Sequence, residues 1–273
     1  MLRFRKLFGT SKCNVIGMIH VGALPGTPCY DGSVQNLLEN ACREAEIYKD
    51  SQIEGVLLEN MHDIPYVQPK HMGPEVTAVM TRICAEVRRV LPATIQCGVQ
   101  VLAGGNKEAL SVALAAGLQF IRAEGFVFSH VADEGFTDAT AGPLLRYRAS
   151  IRADNILIFT DIKKKHSAHA ITSDVSLQET AKAAEFFLSD GVIVTGATTG
   201  DPVDTRHLHD VKQSTRLPVL VGSGVTSGNI SNYMKADAVI VGTHFKENES
   251  WKNCVDCCQI QRFMDKIHKL RNY

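Results

Sequence analysis

The sequence predicts an α/β fold, a single-domain (β/α)8 TIM barrel with a short N-terminal helix, over residues 1–273. Short apolar runs rich in β-branched residues alternate with helix-like segments along the whole chain, which is typical of a parallel sheet with helical crossovers. The length of 273 residues suits one barrel, which takes about 250 residues. Two neighbouring runs, 219–221 and 238–241, each end in glycine, where backbone N–H groups can approach an anion closely.

The first half of the chain contains four strand–helix units. Ser33 is placed to cap the helix after the first strand, and Pro74 to begin the helix after the second. The predicted strands are residues 14–20, 55–60, 94–100 and 120–124. A long loop, 125–143, separates the fourth strand from its helix, and loops longer than about 12 residues inside a domain are usually functional or mobile. We therefore expect this loop to form a lid.

The second half repeats the pattern. Ser176 and Glu179 have the spacing of a capping box at the start of a helix. The predicted strands are residues 156–161, 191–195, 219–221 and 238–241, and an amphipathic helix over 257–270 ends the chain. An open, doubly wound sheet is the alternative architecture, but eight similar units favour closure into a barrel.

Composition excludes several classes of partner. Lysine plus arginine and aspartate plus glutamate both total 29, and this balance disfavours nucleic acid or an anionic membrane, which select basic surfaces. No apolar run approaches the roughly 18 residues that a membrane span needs. The patterns GxxxxGK[ST], GxGxxG, GxSxG and HExxH are absent, which disfavours P-loop ATPases, dinucleotide-binding proteins, serine hydrolases and zincins. A small molecule is the expected partner, and a homo-oligomer is compatible with the sequence.

The cysteines and the N-terminus bear on location. The eight cysteines are scattered and no secretory signal precedes them, so reduced thiols without a metal site are expected, with a metal or redox role for Cys254, Cys257 and Cys258 as the alternative. Residues 1–8 are basic, amphipathic and free of acid. They predict either a helix that closes the bottom of the barrel or the start of a mitochondrial presequence. We expect a cytoplasmic protein, with a mitochondrial location as the alternative.

Polar residues stand at the C-terminal ends of otherwise apolar strands, where barrels place their active sites. Burying such groups costs several kcal/mol unless they pair or meet a ligand. The ring consists of His20, Glu59, Asn60, Gln100, Glu124, Asp161, Lys163, Thr195, Gly196, Gly222, Ser223, Gly224, Gly242 and Thr243. We expect a ligand site at this end of the barrel.

Catalytic candidates come from this ring and the loop after the fifth strand. Strand alternation, continued past the strand end, places Asp161 and Lys163 on one face. A lysine there could neutralise a substrate anion or act as a base or Schiff-base amine, while the alternative is a solvated loop, 163–165. The catalytic candidates are Asp161, Lys163, Glu59, His20 and His166. No cofactor is assigned, although Glu59, Glu124 and Asp161 could bind a divalent cation; an ion pair between Glu124 and a cation such as Arg122 is the alternative.

The two glycine-ended strands are the predicted phosphate site, because barrels bind phosphate after their seventh and eighth strands. Gly222, Ser223, Gly224, Gly242 and Thr243 are the predicted phosphate-binding residues. Asn60, Glu124, Thr195, Gly196 and Lys246 are the predicted further ligand contacts.

Several segments together resemble the BtpA family, which includes the SgcQ-like proteins. They are residues 17–20 (GMIH), 23–26 (ALPG), 59–60 (EN), 73–75 (GPE), 78–81 (AVMT), 161–166 (DIKKKH), 193–196 (IVTG), 199–200 (TG), 222–224 (GSG), 241–243 (VGT) with Lys246, 255–256 (VD) and 262–264 (RFM). The resemblance covers residues 8–264 and implies a ribulose-phosphate-binding barrel whose reaction is not established. It also implies that the N-terminal helix is part of the family structure. The chain departs from the family pattern at Glu124, at His244, where serine is commoner, and at the cysteines of the tail.

The leading functional hypothesis is an enzyme that acts on a phosphorylated small metabolite, a sugar phosphate or a nucleoside-like compound. A lyase, an isomerase and a hydrolase all fit the residues. The alternative is a non-catalytic assembly or stability factor that keeps a ligand-binding barrel, because photosynthetic members of the resembling family are linked to photosystem I.

Overall fold

A computed structural model describes residues 1–196 and 199–272 of the chain. The α-helices are α1 Leu2–Phe8, α2 Val34–Asp50, α3 Pro74–Val90, α4 Asn106–Ala116, α5 Ala141–Ser150, α6 Leu177–Phe186, α7 Thr205–Ser214 and α8 Cys257–Arg271. The strands are β1 Asn14–His20, β2 Gly55–Glu59, β3 Gln96–Gln100, β4 Phe120–Ala123, β5 His130–Ala132, β6 Gly135–Thr137, β7 Leu157–Ile162, β8 Ser167–Ala168, β9 Gly191–Val194, β10 Val219–Val221 and β11 Ala238–Val241. Short 3₁₀ helices are Pro69–His71, Ala170–Thr172, Ile230–Tyr233, Thr243–Phe245 and Glu247–Glu249.

Eight parallel strands form a closed barrel in the order β1-β11-β10-β9-β7-β4-β3-β2. This confirms the (β/α)8 prediction and excludes the open sheet. Neighbouring strands end in register, with His20 paired to Glu59 and Glu59 paired to Gln100. Because all strands run the same way, their carboxyl ends form one rim, and the polar ring of the sequence gathers there.

Helix α1 closes the opposite end of the barrel. Its buried residues are Phe4 and Phe8, and their rings contact Phe159 and Phe120 at centroid distances of 5.9 and 5.8 Å respectively. Both partners belong to the cluster that fills the barrel interior. The prediction that the basic N-terminus closes the bottom of the barrel is confirmed, since an amphipathic helix buries its aromatic stripe and leaves its basic residues outside.

The long loop after β4 forms a small antiparallel sheet. Strand β5 pairs with β6 in a hairpin and with β8, which lies in the loop after β7. The predicted lid is thus a three-stranded element built from two loops of the same rim. It covers one side of the barrel mouth.

The seventh unit differs from the prediction of eight complete strand–helix pairs. The only helical segment between β10 and β11 is the 3₁₀ turn Ile230–Tyr233. Gly228 and Asn229 promote turns, and the Asn229 amide donates to the Gly224 carbonyl at 2.8 Å. The loop after β10 is therefore followed by compact turns.

Two remaining features concern the chemistry of the chain. All eight cysteines are free thiols, and Cys254, Cys257 and Cys258 are exposed.

None of the helices in the described part of the chain is both long and apolar enough to cross a membrane.

Candidate functional site

Two adjoining cavities occupy the mouth of the barrel. The first has a volume of about 400 Å³ and the second about 230 Å³. Five residues line both of them and form the boundary between the two: Glu59, Met61, Arg122, Lys165 and Thr199. Three of the five are charged: Glu59, Arg122 and Lys165. Cavities of this size are typical of small-molecule sites at the C-terminal face of a barrel.

The predicted phosphate residues meet in the first cavity. Its wall includes Gly222, Ser223, Gly224, Gly242 and Thr243. Gly224 has φ +64°, and a Cβ added there would lie 2.1 Å from the carbonyl oxygen of Asp201. This position therefore requires glycine, and the close approach keeps the loop narrow.

Ser223 has a structural role through its side chain. Its hydroxyl accepts a hydrogen bond from the Gly196 N–H at 2.6 Å and donates to the Asp201 carbonyl at 3.1 Å. The hydroxyl thus ties the loop after β10 to the loop after β9. Any contact of Ser223 with a ligand would be made by its backbone.

His20 lines the first cavity, and its ring has a defined tautomer. Its Nδ1 lies 2.9 Å from the Trp251 carbonyl oxygen, which can only accept, so Nδ1 carries the proton and Nε2 is an acceptor. A Cβ added at Gly242 would lie 3.3 Å from that Nε2. Burial, followed by the charge of Lys246, lowers the pKa of His20 to about 3, so the ring is neutral at physiological pH.

Asp161 is committed to an ion pair with Arg122. The guanidinium Nε and Nη2 lie 3.1 and 3.0 Å from the carboxylate oxygens, and both side chains are buried. Burial raises the pKa of Asp161, and the Arg122 charge opposes that shift. Arg122 also extends towards the loop after β10, because a Cβ at Gly222 would lie 3.4 Å from its Nη2. Asp161 therefore positions Arg122 between the two parts of the site.

The prediction that Lys163 shares a face with the Asp161 carboxylate in the mouth is wrong. Lys163 has φ +48°, so the extended alternation stops at the end of β7. Its Nζ donates to the Thr172 carbonyl at 3.3 Å, outside the two mouth cavities. Lys165 enters the mouth instead, because the turn reverses which side chains of the loop face the barrel axis.

Glu59 and Lys165 are ionisable groups of the mouth without an ion pair among the described residues. Burial raises the pKa of the Glu59 carboxyl, partly offset by Arg122 and Lys165. Burial of the Lys165 amine, followed by repulsion from Arg122, lowers its pKa, partly offset by Glu59. The two shifts bring the proton affinities of an acid and a base closer together, which is a feature of functional sites.

Glu124 belongs to a buried charge cluster in the second cavity. Its Oε1 accepts from Lys164 Nζ at 3.1 Å and its Oε2 from the Gly104 N–H at 2.9 Å. Glu134 lies 3.7 Å from the same amine. Burial alone raises the pKa of Glu124, but Lys164 and the hydrogen bonds outweigh it, so the pKa is lowered. The alternative that Glu124 forms an ion pair with Arg122 or another cation is confirmed, with Lys164 as the cation.

His166 and Thr195 are placed by the loops after β7 and β9. The Nε2 of His166 lies 2.9 Å from the Thr199 hydroxyl. The His166 side chain is exposed and lines the second cavity. Burial, followed by the Lys165 charge, lowers the pKa of His166. The Thr195 hydroxyl accepts from the Lys165 N–H at 3.1 Å, so Thr195, like Gly196, holds the loops together outside the two mouth cavities.

Asn60 and Lys246, both predicted ligand contacts, are engaged elsewhere. The Asn60 amide bonds to Asp63 at 2.8 Å and to both backbone groups of Leu102 at 2.6 and 3.1 Å, which clamps two loops of the rim. Lys246 is fully buried and bonds both carboxylate oxygens of Glu44 at 2.8 Å. Neither side chain lines the mouth cavities, because each is consumed by buried partners.

Some residues of the site were missed by sequence reasoning. His244 lines the first cavity; its Nε2 accepts from the Ser227 N–H at 3.0 Å and its Nδ1 lies 2.8 Å from Glu249. The sequence predicts Arg122 only as a partner of Glu124 and predicts no role for Trp251. An arginine inside a buried strand was the available signal, because an unpaired cation is not buried in a core.

The carboxylates of the mouth do not form a metal site together. Glu124 and Asp161 already bond protein cations, which leaves Glu59 alone of the three predicted ligands. Among residues 1–196 and 199–272, three potential ligand atoms converge only at Asp256, Cys257 and Cys258, at the exposed start of α8. That cluster lies outside both mouth cavities.

Known proteins resemble the chain over nearly its full length. An uncharacterised Caenorhabditis elegans protein, whose name describes it as mitochondrial, is 47% identical over 270 residues, covering 97% of each chain. The Photosystem I biogenesis protein BtpA of Synechocystis is 28% identical, covering 92% of this chain and 86% of the relative. Among solved structures, phosphoribosyl anthranilate isomerase from Thermus thermophilus shares the fold with a TM-score of 0.56 and 10% identity, covering 94% of this chain and 99% of the other.

The family resemblance read from the loops is confirmed by a match to the family as a whole. The sequence profile described as "BtpA family" matches residues 11–269. This range includes every strand of the barrel and all the residues of the two cavities. The chain therefore belongs to the BtpA family.

Proposed function

We propose that this protein is an enzyme acting on a phosphorylated small metabolite at the mouth of its barrel. One observation carries the proposal. A single cavity of about 400 Å³ is lined both by the glycine loops after β10 and β11 and by Glu59, Arg122 and Lys165. A non-reacting anchor and a set of ionisable groups thus face the same space, as catalysis on an anchored substrate requires.

The phosphate end lies against residues 222–224 and 242–243. Backbone N–H groups at narrow glycine loops suit a phosphate, and the guanidinium of Arg122, next to Gly222, adds a fixed positive charge. Asp161 keeps this guanidinium oriented.

The reacting end lies against Glu59, Lys165 and His20. The raised pKa of Glu59 and the lowered pKa of Lys165 suit them for exchange of a proton with the substrate. His20 offers a neutral acceptor beside them. These roles fit a lyase, an isomerase or a hydrolase, all of which move protons around a phosphorylated carbon skeleton. The isomerase of the same fold carries a phosphoribosyl compound in its name, which supports the substrate class.

Thermal unfolding with matched ligand pairs tests this proposal. Ribose 5-phosphate and ribose differ only in the phosphate, and only the first should raise the melting temperature, because a ligand stabilises the state that binds it. Phosphorus NMR of the protein with a mixture of sugar phosphates and nucleotides should then show consumption of at least one. If a phosphorylated metabolite binds but none is consumed, the protein is a binding protein and not an enzyme. If none binds and none is consumed, the proposal is contradicted.

A non-catalytic assembly factor is the second candidate, favoured by the name of the Synechocystis relative. On that hypothesis a macromolecular partner, captured with the purified protein as bait, should raise the melting temperature while phosphorylated metabolites leave it unchanged. The variant Gly242→Ala should then behave as wild type. The two candidates predict opposite outcomes of the same measurement.

We also propose a mitochondrial location, supported by the name of the C. elegans relative. Helix α1 is packed against Phe120 and Phe159. A mitochondrial targeting signal in this helix would therefore have to act without being cleaved off. A C-terminal fluorescent fusion should overlap with mitochondria. Diffuse cytoplasmic fluorescence would support the other expected location.

A further inference from the structure

The second cavity has walls unlike those of the first. It shares Glu59, Arg122 and Lys165 with the phosphate cavity, but its far side is formed by Tyr66, Leu102, Ala103 and Trp251. Apolar and aromatic walls favour an uncharged, flat group. The cavity lies next to the reacting side chains, on the side away from the glycine loops.

A buried carboxamide in this cavity lacks a partner. Gln100 ends β3, is 2% exposed, and lines the second cavity. Its Oε1 has no hydrogen-bond partner among the described residues. Leaving such a group unpaired costs about 1–3 kcal/mol, and a carboxamide offers an acceptor and a donor side by side. A ligand edge that carries an N–H next to a carbonyl would match both.

The aromatic side chains are held in place. The Tyr66 hydroxyl donates to the Met61 carbonyl at 2.7 Å. The Trp251 ring packs against His62 at a centroid distance of 5.1 Å, and its own carbonyl bonds His20. Rigid flat walls accept a planar ring with little loss of conformational entropy. The wall is therefore formed before any ligand arrives.

The charges of the second cavity disfavour a second anionic group. Glu124, Asp133 and Glu134 line it, while Lys164 is already paired with Glu124. A bisphosphate or a ring carboxylate would be repelled by these carboxylates. A neutral ring carries no charge and would not be repelled.

We propose that the phosphorylated substrate is of the nucleoside monophosphate class, with its phosphate at residues 222–224 and 242–243 and a neutral heterocycle against Gln100 and Trp251. This inference rests on the proposed function, because it places the second half of the same substrate. A plain sugar phosphate would fill only the first cavity and leave the Gln100 Oε1 without a donor. The heterocycle supplies the N–H that this oxygen lacks, with a carbonyl beside it.

Calorimetric titration with three probes tests the inference. Uridine 5′-monophosphate and inosine 5′-monophosphate carry the N–H and carbonyl edge, and ribose 5-phosphate lacks a ring. At least one of the two nucleotides should bind ten-fold or more tightly than ribose 5-phosphate. N3-methyluridine 5′-monophosphate, in which the donor is blocked, should lose most of the advantage shown by the uridine compound.

The variant Gln100→Met removes the carboxamide at nearly constant length. It should reduce nucleotide affinity to that of ribose 5-phosphate and leave ribose 5-phosphate binding unchanged. Gln96→Met is the matched control, because Gln96 begins the same strand at the opposite end of the barrel, and it should change neither. Ribose 5-phosphate binding as tightly as both nucleotides would overturn the inference and leave the proposed function intact. Failure of all phosphorylated probes to bind would overturn both.

Discussion

The two sides of the barrel mouth are built by different means. The side after β10 and β11 consists of backbone and glycine, held by close contacts such as that between Gly224 and Asp201. The side after β4 and β7 consists of charged side chains held by one another, as in the Arg122–Asp161 pair. The first kind of site depends on the backbone conformation of its glycine loops and on their close approach to a neighbouring loop, and the second depends on ion pairs between side chains. Changes on the two sides should therefore fail in different ways.

The largest expected effect is on the stability of the charged side. Asp161→Ala leaves the buried Arg122 without its partner, and breaking a buried pair in this way costs about 3–5 kcal/mol of unfolding free energy. Urea denaturation followed by circular dichroism measures the loss. Glu46→Ala removes one partner of an exposed pair with Lys49 and should leave stability unchanged. Equal stability of the Asp161 variant and wild type would mean that water reaches Arg122.

The next largest effect is on turnover, and it should distinguish Lys165 from Lys163 in the same loop. Lys165→Met should lower the turnover of the metabolite found by the NMR screen about 100-fold, the usual contribution of a proton-transfer group, with folding and phosphate binding retained. Lys163→Met is the matched control, because its amine bonds the Thr172 carbonyl outside the mouth. Steady-state kinetics of both variants provides the measurement. A greater loss from the Lys163 change would restore the expectation from strand alternation.

A substitution on the glycine side should weaken the binding of a phosphorylated ligand. A Cβ at Gly242 lies 3.3 Å from both His20 Nε2 and Met18 Cγ, so Gly242→Ala narrows the cavity while the fold accommodates it. We expect about ten-fold weaker binding of ribose 5-phosphate, about 1.4 kcal/mol, in calorimetric titration. At Gly228 the added Cβ would contact only the Thr226 hydroxyl, at 3.4 Å, so Gly228→Ala should bind like wild type. If the affinity of the Gly242 variant for ribose 5-phosphate is unchanged, the phosphate does not bind next to Gly242.

A fourth effect, comparable in size to the third, concerns the stability of the folded protein as a function of pH. Burial lowers the folded-state pKa of His20 to about 3, below its ordinary 6.5, so the unfolded chain binds more protons between these values. Stability from this group is complete above pH 6.5 and is lost as the pH falls towards 3. Between pH 7 and pH 5 we expect a loss of about 1–2 kcal/mol, measured by urea denaturation. The loss should be smaller in His20→Asn, and an identical loss in that variant would contradict the assignment.

Much of the fold could be predicted because it depends on local sequence. Apolar runs ending in glycine at residues 222 and 242 determine both strand position and the preference for close backbone approach. The bottom helix was predictable in the same way, since Phe4 and Phe8 recur at helical spacing. These features need no knowledge of distant residues.

The charged side could be predicted only as a set of residues. Asp161, Glu124 and Arg122 were recognisable as polar groups in buried strands, but the choice of partners depends on which strands become neighbours. The pair Glu124–Lys164 and the isolation of Glu59 and Lys165 follow from that choice. Lys163 was misplaced because one residue with positive φ ends the alternation on which the prediction relied.

The sequence by itself determined the barrel, its polar rim, the glycine loops after the last two strands and membership of the BtpA family. Only the tertiary structure decided which lysine enters the mouth, which carboxylate of the mouth has no ion pair among the described residues, and that Gln100 and Trp251 line a second cavity. The physical reason is range. Propensity, periodicity and glycine conformation act between neighbours in the chain, whereas ion pairing and desolvation act between side chains that only the closed barrel brings together.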